Sequence, residues 1–132
     1  MCFLNRAKGF SYAPAFRMGY WPRPTGALAL TDTLLSIVIV SFNAKEHLRR
    51  CLSTLYEHQH GRFEVIVVDN ASPDDSASIV AKEVPQARLI ANPVNAGFAV
   101  AANLGAGEST GDVIVFLNPD SELRQDAARR AE

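Results

Sequence analysis

Asp112-Val-Ile-Val-Phe-Leu-Asn-Pro-Asp120 is the stretch that decides the fold. Its apolar run, Val113 to Leu117, is too short for a helix and leaves neither face polar, which is how a strand buried on both sides of a parallel sheet reads. The run delivers a carboxylate at its C-terminal tip, where an open α/β sheet binds ligands. Two earlier runs have the same form. Leu35-Ser-Ile-Val-Ile-Val40 leads into Ser41-Phe42-Asn43, and Phe63-Glu-Val-Ile-Val-Val68 leads into Asp69-Asn70-Ala71-Ser72. A shorter run, Ala87 to Ala91, leads into Asn92-Pro93-Val94-Asn95-Ala96-Gly97.

Helical patterns separate these runs. Leu48, Cys51, Leu52 and Leu55 make one apolar stripe, predicting a helix from about Ala44 to His58. Asn43 with Glu46 three residues on reads as a capping box at its start. Ser72-Pro73-Asp74-Asp75 reads as a second helix start, with Ser72 as cap, Pro73 in the first turn and two acids against the helix dipole. That helix runs to about Glu83 and stops near Pro85. A small-residue helix is expected from Phe98 to about Gly105, and an Ala- and Arg-rich one from Ser121. Strand, helix, strand, helix, strand, helix, strand implies right-handed crossovers and a mainly parallel sheet with helices on both faces.

Residues 1–33 show no period and hold Trp21, Pro22, Pro24 and Gly26, so an irregular or disordered leader is expected there, with 34–132 as the folded domain. An aromatic-rich docking tail is the functional alternative. The leader carries four basic residues against one acid, the remainder nine against thirteen. The total, -1 at pH 7, gives no pull towards nucleic acid or an anionic membrane. Cys2 and Cys51 are the only cysteines, so no disulfide framework is expected and a reducing, cytoplasmic setting is the simpler reading. No apolar run approaches the ~20 residues of a membrane span, and the leader has no apolar core beside its early charges, unlike a signal peptide.

Four polar, turn-prone segments therefore converge on one sheet edge: 41–43, 69–72, 92–97 and 118–120. Phe42 can offer a ring face to a planar base. Asp69 can accept from a base imide or a ribose hydroxyl. Gly97 and the amides opening the next helix can approach a phosphate. Asp120, with Asn118 two residues earlier, offers oxygen to Mg²⁺ or Mn²⁺, ions typically held by one or two carboxylates plus substrate phosphates. Each has a plainer reading: a strand-end Asp as turn residue, Phe42 as core, Gly97 as a residue needed only for positive φ. No Gly-x-Gly-x-x-Gly and no P-loop is present. His47, His58 and His60 lack acids or cysteines at ligand spacing and read as surface residues. Ser41 and Ser72 have no adjacent base and do not read as nucleophiles.

In succession, Ser36–Asn43, Val65–Ser76, Asn95–Gly105 and Gly111–Asp120 resemble the N-terminal part of family 2 glycosyltransferases of GT-A fold, and Leu117-Asn118-Pro119-Asp120 is most similar to their rhamnosyltransferase-like branch. The resemblance implies a Rossmann-like nucleotide-binding half, truncated here, and transfer of a sugar from a UDP- or dTDP-linked donor to a carbohydrate or lipid-linked acceptor hydroxyl with inversion. It implies that Ser41, Phe42, Asn43 and Asp69 hold the nucleoside, and that Asn95, Gly97 and Asn103 line the site near the diphosphate and sugar. Asp120 and Asn118 stand at the family's metal motif for Mg²⁺ or Mn²⁺, with an amide in place of its first acid. It further implies polysaccharide biosynthesis, at the inner face of the membrane if not free in the cytoplasm. The family's catalytic base lies downstream; Glu122, Asp126 and Glu132 fall too early for it, so no catalytic residue is assigned. A missing second half or a homo-oligomer would complete such a chain; the rival is a non-catalytic nucleotide-binding fragment or half of a split enzyme. A phospho-acceptor signalling domain also ends a strand in Val-Val-Asp, but here Asn70 stands where its second acid would be, and no later strand-end Lys completes it.

Overall fold

The computed structural model describes residues 2–5 and 33–123. Five strands form one sheet: β1 (Cys2–Asn5), β2 (Leu35–Ser41), β3 (Phe63–Asp69), β4 (Arg88–Ala91) and β5 (Val113–Leu117). Among the described residues three helices connect β2 to β5: α1 (Lys45–His58), α2 (Ser76–Glu83) and α3 (Phe98–Glu108). The sheet order is β1-β5-β2-β3-β4. β2 to β5 are mutually parallel, and β1 lies antiparallel along the outer edge of β5.

Strand alternation divides the interior in two. Ile37, Ile39, Val65, Val67, Val115 and Leu117 face α1 and α2, packing on Leu48, Cys51, Leu52, Leu55 and Val80. Val38, Ile66, Val68 and Ile114 face the other way, against Ala101 of α3. Burial of side chains such as Ile39, Leu48 and Leu52 is worth about 1.5–3 kcal/mol each and is the main force holding the layers together. On the second face the helix lies very close. A Cβ on Gly105 would run into Val38 Cγ1 and come to 3.2 Å from Val68 Cγ2, so even one methyl there obliges Val38 or the helix to move.

Several expectations need correction. The leader is not irregular throughout: Cys2–Asn5 form an edge strand. So short a run carries no period of its own; it is held by backbone pairing with Val113–Phe116. The leader from 6 to 32 lies outside the described residues. Asn43 does not cap α1. It takes φ 50°, Ala44 occupies the cap position without a side-chain bond of its own, and the first amide of α1, that of Lys45, is met from across the fold by Asp74 Oδ2. Glu46 instead pairs with Arg49 on the surface at 2.9 Å. α2 begins at Ser76, four residues beyond the expected cap, because Ser72 bonds the Asn43 amide and Asp74 bonds the first amide of α1 rather than α2's own first turn alone. Residues 121–123 are not helical, and the remainder of the expected last helix lies outside the described residues.

At the end of the sheet opposite the strand tips a polar cluster fixes the α3–β5 turn. Glu64 Oε1 accepts from Ser36 Oγ at 2.5 Å, the Thr110 amide at 2.7 Å and Thr110 Oγ1 at 3.1 Å. Burial alone would raise this carboxyl; the bonds from Ser36 and Thr110 outweigh it and hold its pKa below the ordinary carboxylate value. A lowered folded-state pKa contributes stability that is present above the unfolded value, about 4.3, and is lost as pH falls through the folded value. Urea unfolding should therefore show Glu64→Gln less stable than the parent chain at neutral pH, with the gap closing as the carboxyl protonates in acid. A gap of the same size at both ends of that range would refute the linkage.

Candidate functional site

Parallel strands bring their C-terminal tips to one rim. Ser41 and Asp69 are register partners across β2 and β3, and Asp69 is level with Ala91 on β4. On the other side of β2, Leu117 is level with Ile39, so the turn carrying Asn118 to Asp120 follows β5 out at the same edge. Asp69 and Asp120 therefore both follow strands that leave the sheet on one side.

Ser41 and Asp69 sit at the centre of this rim. Both are buried, at 0% and 4% exposure. One carboxylate oxygen of Asp69, Oδ2, accepts from the Ser72 amide at 3.1 Å. The other, Oδ1, and the neighbouring Ser41 Oγ are buried with no hydrogen-bond partner among the described residues. An unmet buried polar atom costs about 1–3 kcal/mol, so two of them on register partners at the strand tips call for a partner that the described residues do not supply. Phe42, immediately after Ser41, is half exposed at 49%, with ring surface available for stacking.

The loop after β2 is tied to the loop after β3. The Asn43 amide donates to Ser72 Oγ at 3.0 Å, and the Lys45 amide to Asp74 Oδ2 at 2.9 Å. Asp74 also receives both the amide and the hydroxyl of Ser76. These bonds hold its pKa low despite the opposing effect of burial. Asn43 and Ala71, at φ 50° and 62°, are both left-handed, a conformation that such cross-loop bonding helps to hold.

Asn70 organises the third segment, a role the sequence reading did not assign. It is 3% exposed. Its Oδ1 accepts from Asn92 Nδ2 at 3.2 Å and the Ala96 amide at 3.0 Å, while its Nδ2 donates to Asn95 Oδ1 at 2.8 Å and Gly97 O at 3.3 Å. Asn95 Oδ1 also accepts from the Gly97 amide at 3.0 Å. Asn95 is thus a brace for the loop, and the amides of Ala96 and Gly97 are already engaged. The donors left for an anion are the first-turn amides of α3, Phe98 to Val100, which have no carbonyl four residues back within the helix. Gly97 has φ 86° and ψ 163°, a region essentially restricted to glycine; a Cβ there would meet nothing within 4 Å, so backbone shape rather than space selects it. Asn103 lies on the exposed side of α3.

Asn118 to Ser121 form a turn closed by the Ser121 amide on Asn118 O at 3.0 Å, with Pro119 at its second position, a favoured place for proline. Asn118 and Asp120 are exposed. Beneath them Cys51 of α1 is fully buried, and its Sγ lies 3.8 Å from Asn118 O. Burial pushes the Cys51 thiol up to about 11, and the negative charges of Asp120 and Glu122 add to the shift, so it is an inert thiol rather than a thiolate ligand. Among the described residues no three His, Cys, Asp or Glu side chains group to hold a metal ion. One exposed carboxylate with a neutral amide oxygen does suit a cation that takes its remaining ligands from a bound diphosphate and water.

The sequence pattern of Glycosyl transferase family 2 matches residues 36–131. The chain belongs to this family. AmsB of Erwinia amylovora, an amylovoran biosynthesis glycosyltransferase, is 32% identical over 102 residues, which are 74% of this chain and 34% of AmsB. The glycosyltransferase GlyA of Streptococcus pneumoniae is 27% identical over 99 residues, 74% of this chain and 14% of GlyA. The mannosyltransferase PcManGT from Pyrobaculum calidifontis, solved with GDP-Man and Mn²⁺, superposes with a TM-score of 0.67 at 27% identity, over 74% of this chain and 30% of that one. The α/β sheet is accordingly that of the GT-A fold. This family 2 chain spans only part of the curated relatives it matches, from 14% of GlyA to 34% of AmsB. No helix among its described residues is long and apolar enough to cross a membrane.

Proposed function

We propose that this chain binds a nucleoside-diphosphate sugar and contributes the donor site for glycosyl transfer to an acceptor hydroxyl. The observation that carries the reading is the pair of unpartnered buried atoms, Ser41 Oγ and Asp69 Oδ1, on register partners at the rim. The ring N–H of uracil or thymine is a donor flanked by carbonyl acceptors. Asp69 Oδ1 accepts from that N–H, Ser41 Oγ donates to a flanking carbonyl, and Phe42 stacks on the base. Asn43, Asn95 and Gly97 shape the loops around the ribose and diphosphate, with Asn103 further along α3 towards the sugar. The first-turn amides of α3 face the negative charge.

Asp120, with the amide oxygen of Asn118, is the place for Mg²⁺ or Mn²⁺, which when bound neutralises charge on the departing diphosphate. In the inverting reaction the acceptor oxygen bonds to the anomeric carbon as the bond from that carbon to the phosphate oxygen breaks, and the hydroxyl proton passes to a general base. No residue of this chain is assigned that role. The Asn118-Pro119-Asp120 form of the metal motif supports the rhamnosyltransferase-like branch and hence dTDP- or UDP-linked donors. The relatives' part in polysaccharide biosynthesis supports a carbohydrate or lipid-linked acceptor, met in the cytoplasm or at the inner face of the membrane.

A second reading is a nucleotide-binding module that works only with another polypeptide or a second copy. The exposed apolar side chains of Val94, Phe98, Val100 and Leu104, running from the rim along α3, favour it. Calorimetric titration with UDP and dTDP in the presence of Mn²⁺ tests the binding that both readings share, and heat is expected for at least one. Silence for both nucleotides would refute both. Sugar transfer by the purified monomer would reject the second reading alone.

A further inference from the structure

The turn that carries Asp120 is attached to the body of the protein by one face of α1. Thr54 Oγ1 accepts from the Leu123 amide at 3.1 Å while donating to Cys51 O at 3.1 Å, so its hydroxyl has both roles filled. One turn earlier Cys51 Sγ reaches Asn118 O at 3.8 Å, the same carbonyl that closes the turn with Ser121. Arg50 adds an exposed ion pair to Glu122 at 3.4 Å. Leu123 packs against the core beside α1. Asp120 lies between two anchored points, Asn118 before it and Leu123 after it, yet it is itself exposed.

These contacts have an unusual division of labour. A segment leaving a sheet needs only its apolar residue, Leu123, to stay docked. The Thr54 bond fixes something else: the backbone path by which residues 121–123 leave the turn. Without it that path is held only by the Ser121 amide on Asn118 O, the exposed Arg50–Glu122 pair and the packing of Leu123, so the Asp120 carboxylate is less firmly aimed. Backbone amides held by a side chain on a neighbouring helix are the means by which a ligand carboxylate, otherwise in solvent, is kept aimed in one direction.

We propose that Thr54 is a positioning residue for cation binding at Asp120, acting through the Leu123 amide with Cys51 as the second anchor of the same turn. The inference rests on the assignment of Asp120 as the cation's carboxylate. Thr54→Val keeps the shape and removes the hydroxyl; Thr54→Ser keeps the hydroxyl. Binding of Mn²⁺ to the full chain in the presence of UDP, followed by the paramagnetic signal of the free ion, is expected to weaken roughly 10-fold in Thr54→Val and to be restored in Thr54→Ser. Amide hydrogen exchange at Leu123 is expected to speed up in Thr54→Val, while Leu52 in α1 and Val67 in β3 keep their protection.

Unchanged Mn²⁺ affinity in Thr54→Val would overturn the proposal, and so would unchanged exchange at Leu123. Equal loss of protection at Leu52 and Val67 would also overturn it, because the hydroxyl would then be serving the fold at large. If the parent chain binds no Mn²⁺ and Asp120→Ala changes nothing, the assignment of Asp120 fails. The proposed cation role falls with it, even if exchange still speeds up at Leu123 in Thr54→Val; the exchange result separates that failure from one in which the Thr54 bond itself is absent.

Discussion

Replacing Asp69 with Asn is expected to lower affinity for UDP about 100-fold while leaving the fold at least as stable. The two halves of that expectation come from the two oxygens of one side chain. Oδ2 is in use, accepting from the Ser72 amide, and the carbonyl oxygen of Asn reproduces that bond. Oδ1 is buried with no partner among the described residues, so the substitution breaks nothing within the protein there. A neutral amide also costs less to bury than a carboxylate at a position 4% exposed. For the ligand the change is adverse. A charge-assisted bond is lost, worth about 1.5–3 kcal/mol, and an N–H donor is set against the donor of the base. Ser41→Ala gives a milder version, since it deletes the other unpartnered atom without reversing its polarity. Calorimetry with UDP and urea unfolding on the same samples read the two quantities independently. Unchanged affinity in Asp69→Asn would remove Asp69 from the site; a large loss of stability would show that its second oxygen serves the fold.

This separation of ligand from fold explains what could be read in the chain and what could not. β2, β3 and β5 are legible because they are buried on both faces, so every position has to be apolar or nearly so, and Ile37, Val38 and Ile39 announce it directly. The convergence of Ser41, Asp69 and Asp120 on one rim then follows from parallel order alone. The helix starts are hidden because Ser72 and Asp74 carry side chains that suit a cap on their own helix and a bond to a neighbouring element's backbone equally well. Only tertiary contact decides that the Asn43 amide bonds Ser72 and the Lys45 amide bonds Asp74. Asn70 was invisible for the same reason. Its partners lie 22 to 27 residues away, and no local period announces a side chain that bonds backbone and amide groups of a distant loop. Its place directly after an apolar strand and Asp69 is the one hint in the sequence, because an Asn carried into the interior there has to satisfy its amide somewhere. β1 escaped notice because an edge strand of four residues is specified by the edge it covers rather than by its own sequence.

Gly111→Ala should destabilise the fold by about 2–3 kcal/mol, more than the same change at Gly105. Gly111 enters β5 at the end of the sheet away from the rim, where its amide donates to Ser36 Oγ at 2.8 Å. A Cβ there would lie 2.5 Å from Ser36 Oγ, 2.7 Å from Leu34 O and 2.8 Å from Ser36 N. Two of those three neighbours are backbone atoms at the start of β2, and they cannot step aside without moving the strand. The third, Ser36 Oγ, is already committed, since it donates to Glu64 while accepting from Gly111. Relief by rotating Ser36 would therefore strip Glu64 of one of its three donors and leave the Gly111 amide unpaired in a buried place. Gly105→Ala is the useful contrast. There the added methyl meets only the side chains of Val38 and Val68, which can adjust by rotating or by letting α3 rise slightly from the sheet, so the loss should be smaller. Chemical denaturation of both variants checks the order. The two should also differ at the rim: Gly111→Ala shifts β2 against β5 at their starting ends, and because Ser41 and the Asn118–Asp120 turn lie at the far ends of those same strands, the strain should reach the site as weakened UDP binding. Gly105→Ala acts between α3 and the sheet and should leave Ser41 and Asp69 in register. If Gly111→Ala proves no less stable than Gly105→Ala, the rigid packing of Gly111 against the start of β2 is not what fixes the register of the two strands.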